Sequence, residues 1–259
     1  MKNRKSGYVE TLTVAAMLVA LAVVVNLFYV SIPIGNAPVL KISFGGPFIK
    51  LVGLLFGPVL GGIAGAMVDL LVHLIRPMGA WIPELTLVEL CKGAAIALLF
   101  IAVRQIKFSI YNVLYLILFI VITLLGAMNL VITAFSPNSA YSLLLAGIGK
   151  RADYLSIGLL AAGAVGLAAH LLAWLFLAKK DESIFERYLR LLPVVGLPCL
   201  VFTVVNTLVL QKYGFIPTTM PFILVCIPRV IEEFIQVLYN TYVLIVLMQI
   251  YKKVFRKTV

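Results

Sequence analysis

A chain of 259 residues that is 63% hydrophobic and 12% charged, with a mean hydropathy of +1.13, lies far from the soluble globular norm of about a quarter charged residues. It reads as an all-α integral membrane protein. The net charge of +11 does not point to nucleic acid, because the cations fall in short clusters beside apolar runs and form no continuous basic stripe.

Lys2, Arg4 and Lys5 precede the apolar run Leu12 to Val30. That run exceeds the roughly 7–15 residues of a signal-peptide core, so a retained first membrane helix is expected over about residues 8–30. Ala16 and Ala20, with Ala15 and Ala22 beside them, give it a flat face for another helix. Asn26, near the outer end, is a polar group available to a cavity wall. Residues 31–45 contain two prolines and two glycines and read as a loop.

From Phe44 to Ile75 the chain is too short for two crossings of ~20 residues and too long for one. Gly57-Pro58 splits it into a short helix from about Pro47 to Phe56 and a second one starting at Pro58. Broken helices at membrane depth normally line a protein-walled cavity, since their freed backbone groups cannot face lipid. Gly57, Gly61, Gly65, Asp69 and His73 recur every four residues and form one ridge, glycine in its first half and polar in its second. The glycines allow close helix approach. Asp69 is an intramembrane carboxylate and so a functional candidate by default; His73 and Arg76 continue toward the exit, placed to meet it or a ligand.

The next helix is expected from Leu85 to Val103, with Thr86 and Glu89 spaced as a capping box and Glu89 and Lys92 spaced to neutralise each other. Arg104 and Lys107 close it. Two apolar segments follow, about Ile110 to Phe135 and Tyr154 to Ala178, forming a helical hairpin over 108–180. His170 stands alone within it and reads as a packing residue; Cys91, Cys199 and Cys226 read as small core residues. After the charged linker KKDESIFERYLR comes a helix from about Leu191 to Leu210, where Asn206 and Thr207 either line a cavity or make interhelical hydrogen bonds. The last segment, Pro221 to Tyr251, is about 46 Å long as a helix and has Pro228 as a place to bend. Its Arg229, Glu232, Glu233 and Gln236 share one face, so Arg229 is either an anion site or the partner of a neighbouring glutamate. With eight segments and both termini cytoplasmic, cations on the inner side outnumber Lys41, Arg76, Lys150, Arg151 and Lys212 outside.

The string LKISFGGPFIKLVGLLFGPVLGGIAGAMVDLL, followed by RPMGAWIPELTL, resembles the second and third helices of the vitamin-binding S components of energy-coupling-factor (ECF) transporters, most of all the folate type. The resemblance implies one transmembrane domain over residues 1–259, built as a six-helix core. The 108–180 hairpin departs from it, either as an insertion that leaves the fold intact or as a sign that substrate and assembly differ. It also implies that Ala16 and Ala20 dock a coupling subunit, and that the loop at 31–45 is an extracellular lid. The candidate ligand contacts are Lys41, Ser43, Phe44, Asp69, His73, Trp81, Asn206 and Arg229. In that reading Asp69 receives two hydrogen bonds from an aminopyrimidinone edge, Phe44 and Trp81 stack on the ring, and Lys41 and Arg229 hold an anionic tail. Lys41 is equally readable as a solvated loop charge, and Glu232-Glu233 is unexpected beside an anion site.

No Walker A loop, GxSxG or HExxH motif is present, so ATP-driven uptake needs other subunits. The implied partners are a vitamin-like small molecule, a membrane coupling protein, two ATPases and the bilayer, with no cofactor or metal and no nucleic acid. Two rival classes stay open. One is a membrane enzyme acting on a lipid or isoprenoid through Asp69, His73 and Glu233; the other is a carrier working alone.

Overall fold

The computed structural model describes the chain except at residues 1, 35–36, 78, 104–107, 137–138, 140–141, 143–151, 176–181, 217–220 and 256–259. Arg104, Lys107 and most of the segment between the two hairpin helices therefore lie outside the described residues. The elements are α1 (Lys2–Leu27), β1 (Val30–Ile34), β2 (Ala37–Ile42), α2 (Gly46–Phe56), α3 (Pro58–Ile75), α4 (Pro83–Val103), α5 (Phe108–Phe135), α6 (Ala152–Ala173), α7 (Glu182–Lys212) and α8 (Phe222–Phe255). Among the described residues six helices, α1, α3, α4, α5, α7 and α8, contain stretches long and apolar enough to cross a membrane. Side chains such as Val59, Leu74, Leu124 and Val254 stay exposed, as a surface that meets lipid requires.

The helical bundle follows the sequence reading, with one addition. The 31–45 loop contains an antiparallel hairpin in which Val30 faces Ile42 and Ile34 faces Ala37, and its register slips between Ile32 and Pro33. A proline has no N–H to give the ladder, so an irregularity there is expected. Strand β2 rests on α8.

The break at Gly57 is as the sequence suggests. Gly57 adopts φ 94°, ψ 179°, a backbone state that only glycine occupies without strain. Its N–H still closes α2 onto the Gly53 carbonyl at 2.9 Å. Pro58 then opens α3 at a position where no N–H is needed. The chain reverses so tightly that a Cβ on Gly61 would fall 2.6 Å from the Gly53 Cα and 3.0 Å from the Gly93 carbonyl oxygen on α4. Thus α2, α3 and α4 meet backbone to backbone.

At 11 residues, α2 is about 16 Å long, roughly half the hydrocarbon thickness. It survives at that length because α1, α3, α4 and α8 all pack on it. One buried cluster joins Leu51 and Leu54 of α2 to Ile96, Phe119, Leu189, Val195 and Leu244; another joins Val52 to Val19 and Ala22 of α1 and Val68 of α3. The α5–α6 pair packs on itself and then on α7 and α8.

Several boundaries differ from the sequence reading. Helix α1 stops at Leu27, short of residue 30. Helix α7 begins at Glu182 instead of Leu191, because the charged stretch is amphipathic: Phe185, Tyr188 and Leu189 are buried, while Glu186 and Arg190 pair one turn apart. Helix α8 runs through Pro228 as one element. The capping box at Thr86 does not form, since α4 already starts at Pro83 and Thr86 lies inside its first turns.

Candidate functional site

The N-terminal half of α2, the polar half of the α3 ridge and the polar face of α8 converge on one cavity of about 410 Å³, within the ~300–1,000 Å³ usual for small-molecule sites. Its wall takes Ser43 from the segment before α2, Lys50 from α2, Asp69 and His73 from α3, Glu89 and Lys92 from α4, Thr203 and Asn206 from α7, and Arg229, Glu233, Gln236 and Asn240 from α8. Apolar residues including Val68, Ile96, Phe202 and Phe215 fill the rest.

Asp69 is held by a relay. The indole Nε1 of Trp81 donates to Thr86 Oγ1 at 3.1 Å, and the Thr86 hydroxyl donates to Asp69 Oδ2 at 2.6 Å. Trp81 is half exposed and does not line the cavity, so the expected stacking role gives way to a hydrogen-bonding one. Phe44 likewise turns away from the cavity, edge-on to Tyr239 with centroids 5.7 Å apart. Arg76 does not join Asp69 and His73: it donates to the Leu27 carbonyl at 2.9 Å and lies 4.4 Å over the Tyr29 ring, tying α3 to the end of α1.

On the opposite wall Arg229 donates to Asn206 Oδ1 at 2.9 Å, and Thr203 donates to Glu233 at 3.2 Å. Glu232 accepts from Gln236 at 2.9 Å. Arg229 thus has Asn206 as its hydrogen-bond partner, with Glu232 and Glu233 close enough on the same face to act on it electrostatically. A second guanidinium nitrogen of Arg229 is buried with no hydrogen-bond partner among the described residues. Lys92 and Glu89 form the expected pair at 2.5 Å.

Of the eight ligand contacts expected from sequence, Ser43, Asp69, His73, Asn206 and Arg229 line the cavity, whereas Phe44 and Trp81 do not. Lys41 lies on β2 and its side chain is outside the described residues. Asn26 lines the cavity and also accepts the Gly45 N–H at 3.1 Å, which fixes the entry to α2. Thr207 is fully buried and donates to the Thr203 carbonyl at 2.7 Å, the packing role. His170 is packed between Phe119 and Phe185. Lys50, Thr203 and Asn240 were not singled out by sequence. The signal for Lys50 was the same as for Asp69, a charge inside an apolar run.

Two loops meet at one side of the cavity, contributing Gly79 and Ala80 from one and Phe215 and Ile216 from the other. Phe215 sits against Gly79, where a Cβ would fall 2.7 Å from the ring. Beside it Tyr213 donates to Glu84, and Lys212 lies 3.7 Å from the same carboxylate. Accepting that hydrogen bond, Glu84 pushes the Tyr213 phenol pKa up.

Residues 7–149, more than half of the chain, match the family model described as ECF-type riboflavin transporter, S component. The chain belongs to that family. The match takes in α1 to α5 and ends before α6. This S component is also 42% identical over 52 residues to the folate transporter FolT of Clostridium novyi (strain NT). The aligned part is 20% of this chain and 30% of that relative, so the likeness spans under a third of the relative's length. No solved structure matches.

Proposed function

We propose that this S component captures a vitamin in the cavity between α2, α3, α4, α7 and α8, with folate or a related heterocycle as its ligand, and delivers it to a coupling protein and two ATPases. The observation that carries the reading is the cavity itself: a bundle with a lipid-compatible surface turns Asp69, Asn206, Arg229 and Glu233 inward around about 410 Å³. Charged groups at that depth are costly unless they serve a ligand or one another. Asp69, fixed by Thr86, is poised to accept hydrogen bonds from an amino-substituted ring. Arg229 has a donor unspent for an acceptor on the same molecule. The likeness to a folate transporter supports the pterin side; the family description supports a flavin as the next candidate.

In this reading Ala16 and Ala20, both on the exposed face of α1, dock the coupling protein, both termini are cytoplasmic, and the β1–β2 hairpin is an external lid. The α5–α6 pair is read as an addition to a six-helix core, with α5 inside the family match and α6 beyond it. The deciding experiment is calorimetry on the purified chain in detergent against folate, riboflavin and other B vitamins. Nanomolar binding of one of them is expected; no binding to any rejects the vitamin reading. Asp69→Asn and Arg229→Ala should each weaken that binding at least tenfold, and unchanged affinity in both moves the site elsewhere.

The lipid-enzyme alternative has one observation in its favour, because Asp69, His73 and Glu233 line the same cavity. Asp69 and Glu233 are each engaged by a threonine hydroxyl, an arrangement suited to fixed acceptors. Lipid turnover by the purified chain that His73→Ala abolishes would favour the enzyme.

A further inference from the structure

Lys50 is 7% exposed and lines the cavity, yet among the described residues it has neither an ion-pair partner nor a hydrogen bond. The other buried-face lysine, Lys92, has Glu89. An unpaired ammonium at this depth costs several kcal/mol unless something compensates it.

Its position increases that cost. Side chains on a helix lean toward the N-terminus, and Lys50 reaches back along α2 so far that its Nζ lies 2.9 Å from where a Gly46 Cβ would be. The ammonium therefore stands at the N-terminal end of its own helix. That end carries the positive pole of the helix dipole, and here it has no acidic residue in the first turn and no side-chain cap. Two like charges converge on one point of the cavity wall. Asn240 of α8 closes the point from the other side: both its amide atoms lie 3.5 Å from the same Gly46 position, it is 2% exposed, and its Oδ1 has no hydrogen-bond partner among the described residues. The ammonium and the helix N-terminus together make an oxyanion site, while the free Oδ1 of Asn240 is an acceptor that complements the ammonium and not the anion.

We infer that Lys50 and the α2 N-terminus, walled on the α8 side by Asn240, form a second subsite in the cavity, which takes a carboxylate or phosphate of the bound molecule. It rests on the vitamin-binding reading for the ligand that carries the group, but not for the site itself. Arg229 and Asn240 are eleven positions apart on α8, or about 16 Å along the axis, so this subsite is separate from the Arg229 end. An occupant reaching both is elongated, with a polar ring held near Asp69 and an anionic group at α2.

The test compares the full wild-type chain with Lys50→Met and Lys50→Arg in detergent. Without ligand, Lys50→Met is expected to unfold at or above the wild-type temperature, because it removes an uncompensated charge. Inorganic phosphate, at matched ionic strength against chloride, should raise the unfolding temperature of wild type and Lys50→Arg but not of Lys50→Met. Ligand pairs distinguish a free anion from one borne by the ligand: folate against 6-methylpterin, and FMN against riboflavin. Lys50→Met should lose roughly 10- to 100-fold in affinity for the anionic member of whichever pair binds, the worth of a charged hydrogen bond, and leave the neutral member unchanged. The subsite is overturned if phosphate does not stabilise wild type, if its effect survives Lys50→Met, or if both members of a pair weaken equally. If no vitamin binds wild type while the phosphate shift still depends on Lys50, the vitamin reading fails and the oxyanion subsite stands.

Discussion

At the scale of single residues, the cavity holds two lysines in opposite circumstances. Lys92 and Glu89 are each about a quarter exposed and 2.5 Å apart, so Lys92→Met strands a carboxylate. A loss of about 1–3 kcal/mol in thermal unfolding is expected, part of which Glu89→Gln in the same chain should restore. A Lys92→Met protein as stable as wild type would show that the pair contributes nothing. The Trp81–Thr86–Asp69 relay gives a second expectation. Thr86→Val removes the donor to Asp69 and the acceptor of the indole, so ligand affinity should fall by ~1 kcal/mol and the Trp81 emission should shift. An affinity loss with unchanged emission would place the effect outside the relay. Sequence reading found Asp69 by its cost in a membrane, but the same argument was not carried to Lys50 in PFIKLVG. Trp81 and Phe44 were misplaced for a different reason. Residue type says that an aromatic ring can stack; which way it turns depends on neighbours, Thr86 and Tyr239, that are distant in sequence or only meet it in the fold.

At the scale of elements, the legible part was the punctuation. Gly57-Pro58 marked the break because each residue has a backbone property nothing else supplies. Gly57→Ala should cost about 1–3 kcal/mol through its φ of 94° alone, since no atom lies within 4 Å of the added carbon. Gly61→Ala tests the other mechanism: its φ is ordinary but its Cβ meets the Gly53 backbone at 2.6 Å, and overpacking of about 1–3 kcal/mol is expected. Both are read as losses in unfolding temperature, and a neutral Gly61→Ala would mean that α2 and α3 are not in backbone contact. Less legible were the helix ends. Charge made residues 179–190 look like a linker, yet Phe185, Tyr188 and Leu189 supply a buried stripe that carries α7 back to Glu182. The spacing Thr86 to Glu89 matched a cap, but Pro83 had already opened the helix.

At the scale of the whole molecule, composition alone placed the chain in a bilayer, and the count of apolar runs fixed the bundle. The hairpin in residues 31–45 was not legible, because two prolines and two glycines signal a turn without telling whether its arms pair. Orientation is open to a direct check. Tags at either terminus should be reached by an impermeant reagent only after the membrane is opened; labelling of either terminus in sealed cells would reverse the topology.

The glycine contact among α2, α3 and α4 has a mechanical consequence. Gears slip on their teeth, and helices slide past each other on side chains that hop between rotamers; where Gly53, Gly61 and Gly93 touch, there are no teeth. The three helices make a keel, and Asp69 and Lys50 are mounted on it at a fixed spacing. Any rearrangement of the cavity wall that keeps this contact has to come from outside it, as at the Phe215–Gly79 and Tyr213–Glu84 contacts. The keel itself can travel only as one piece.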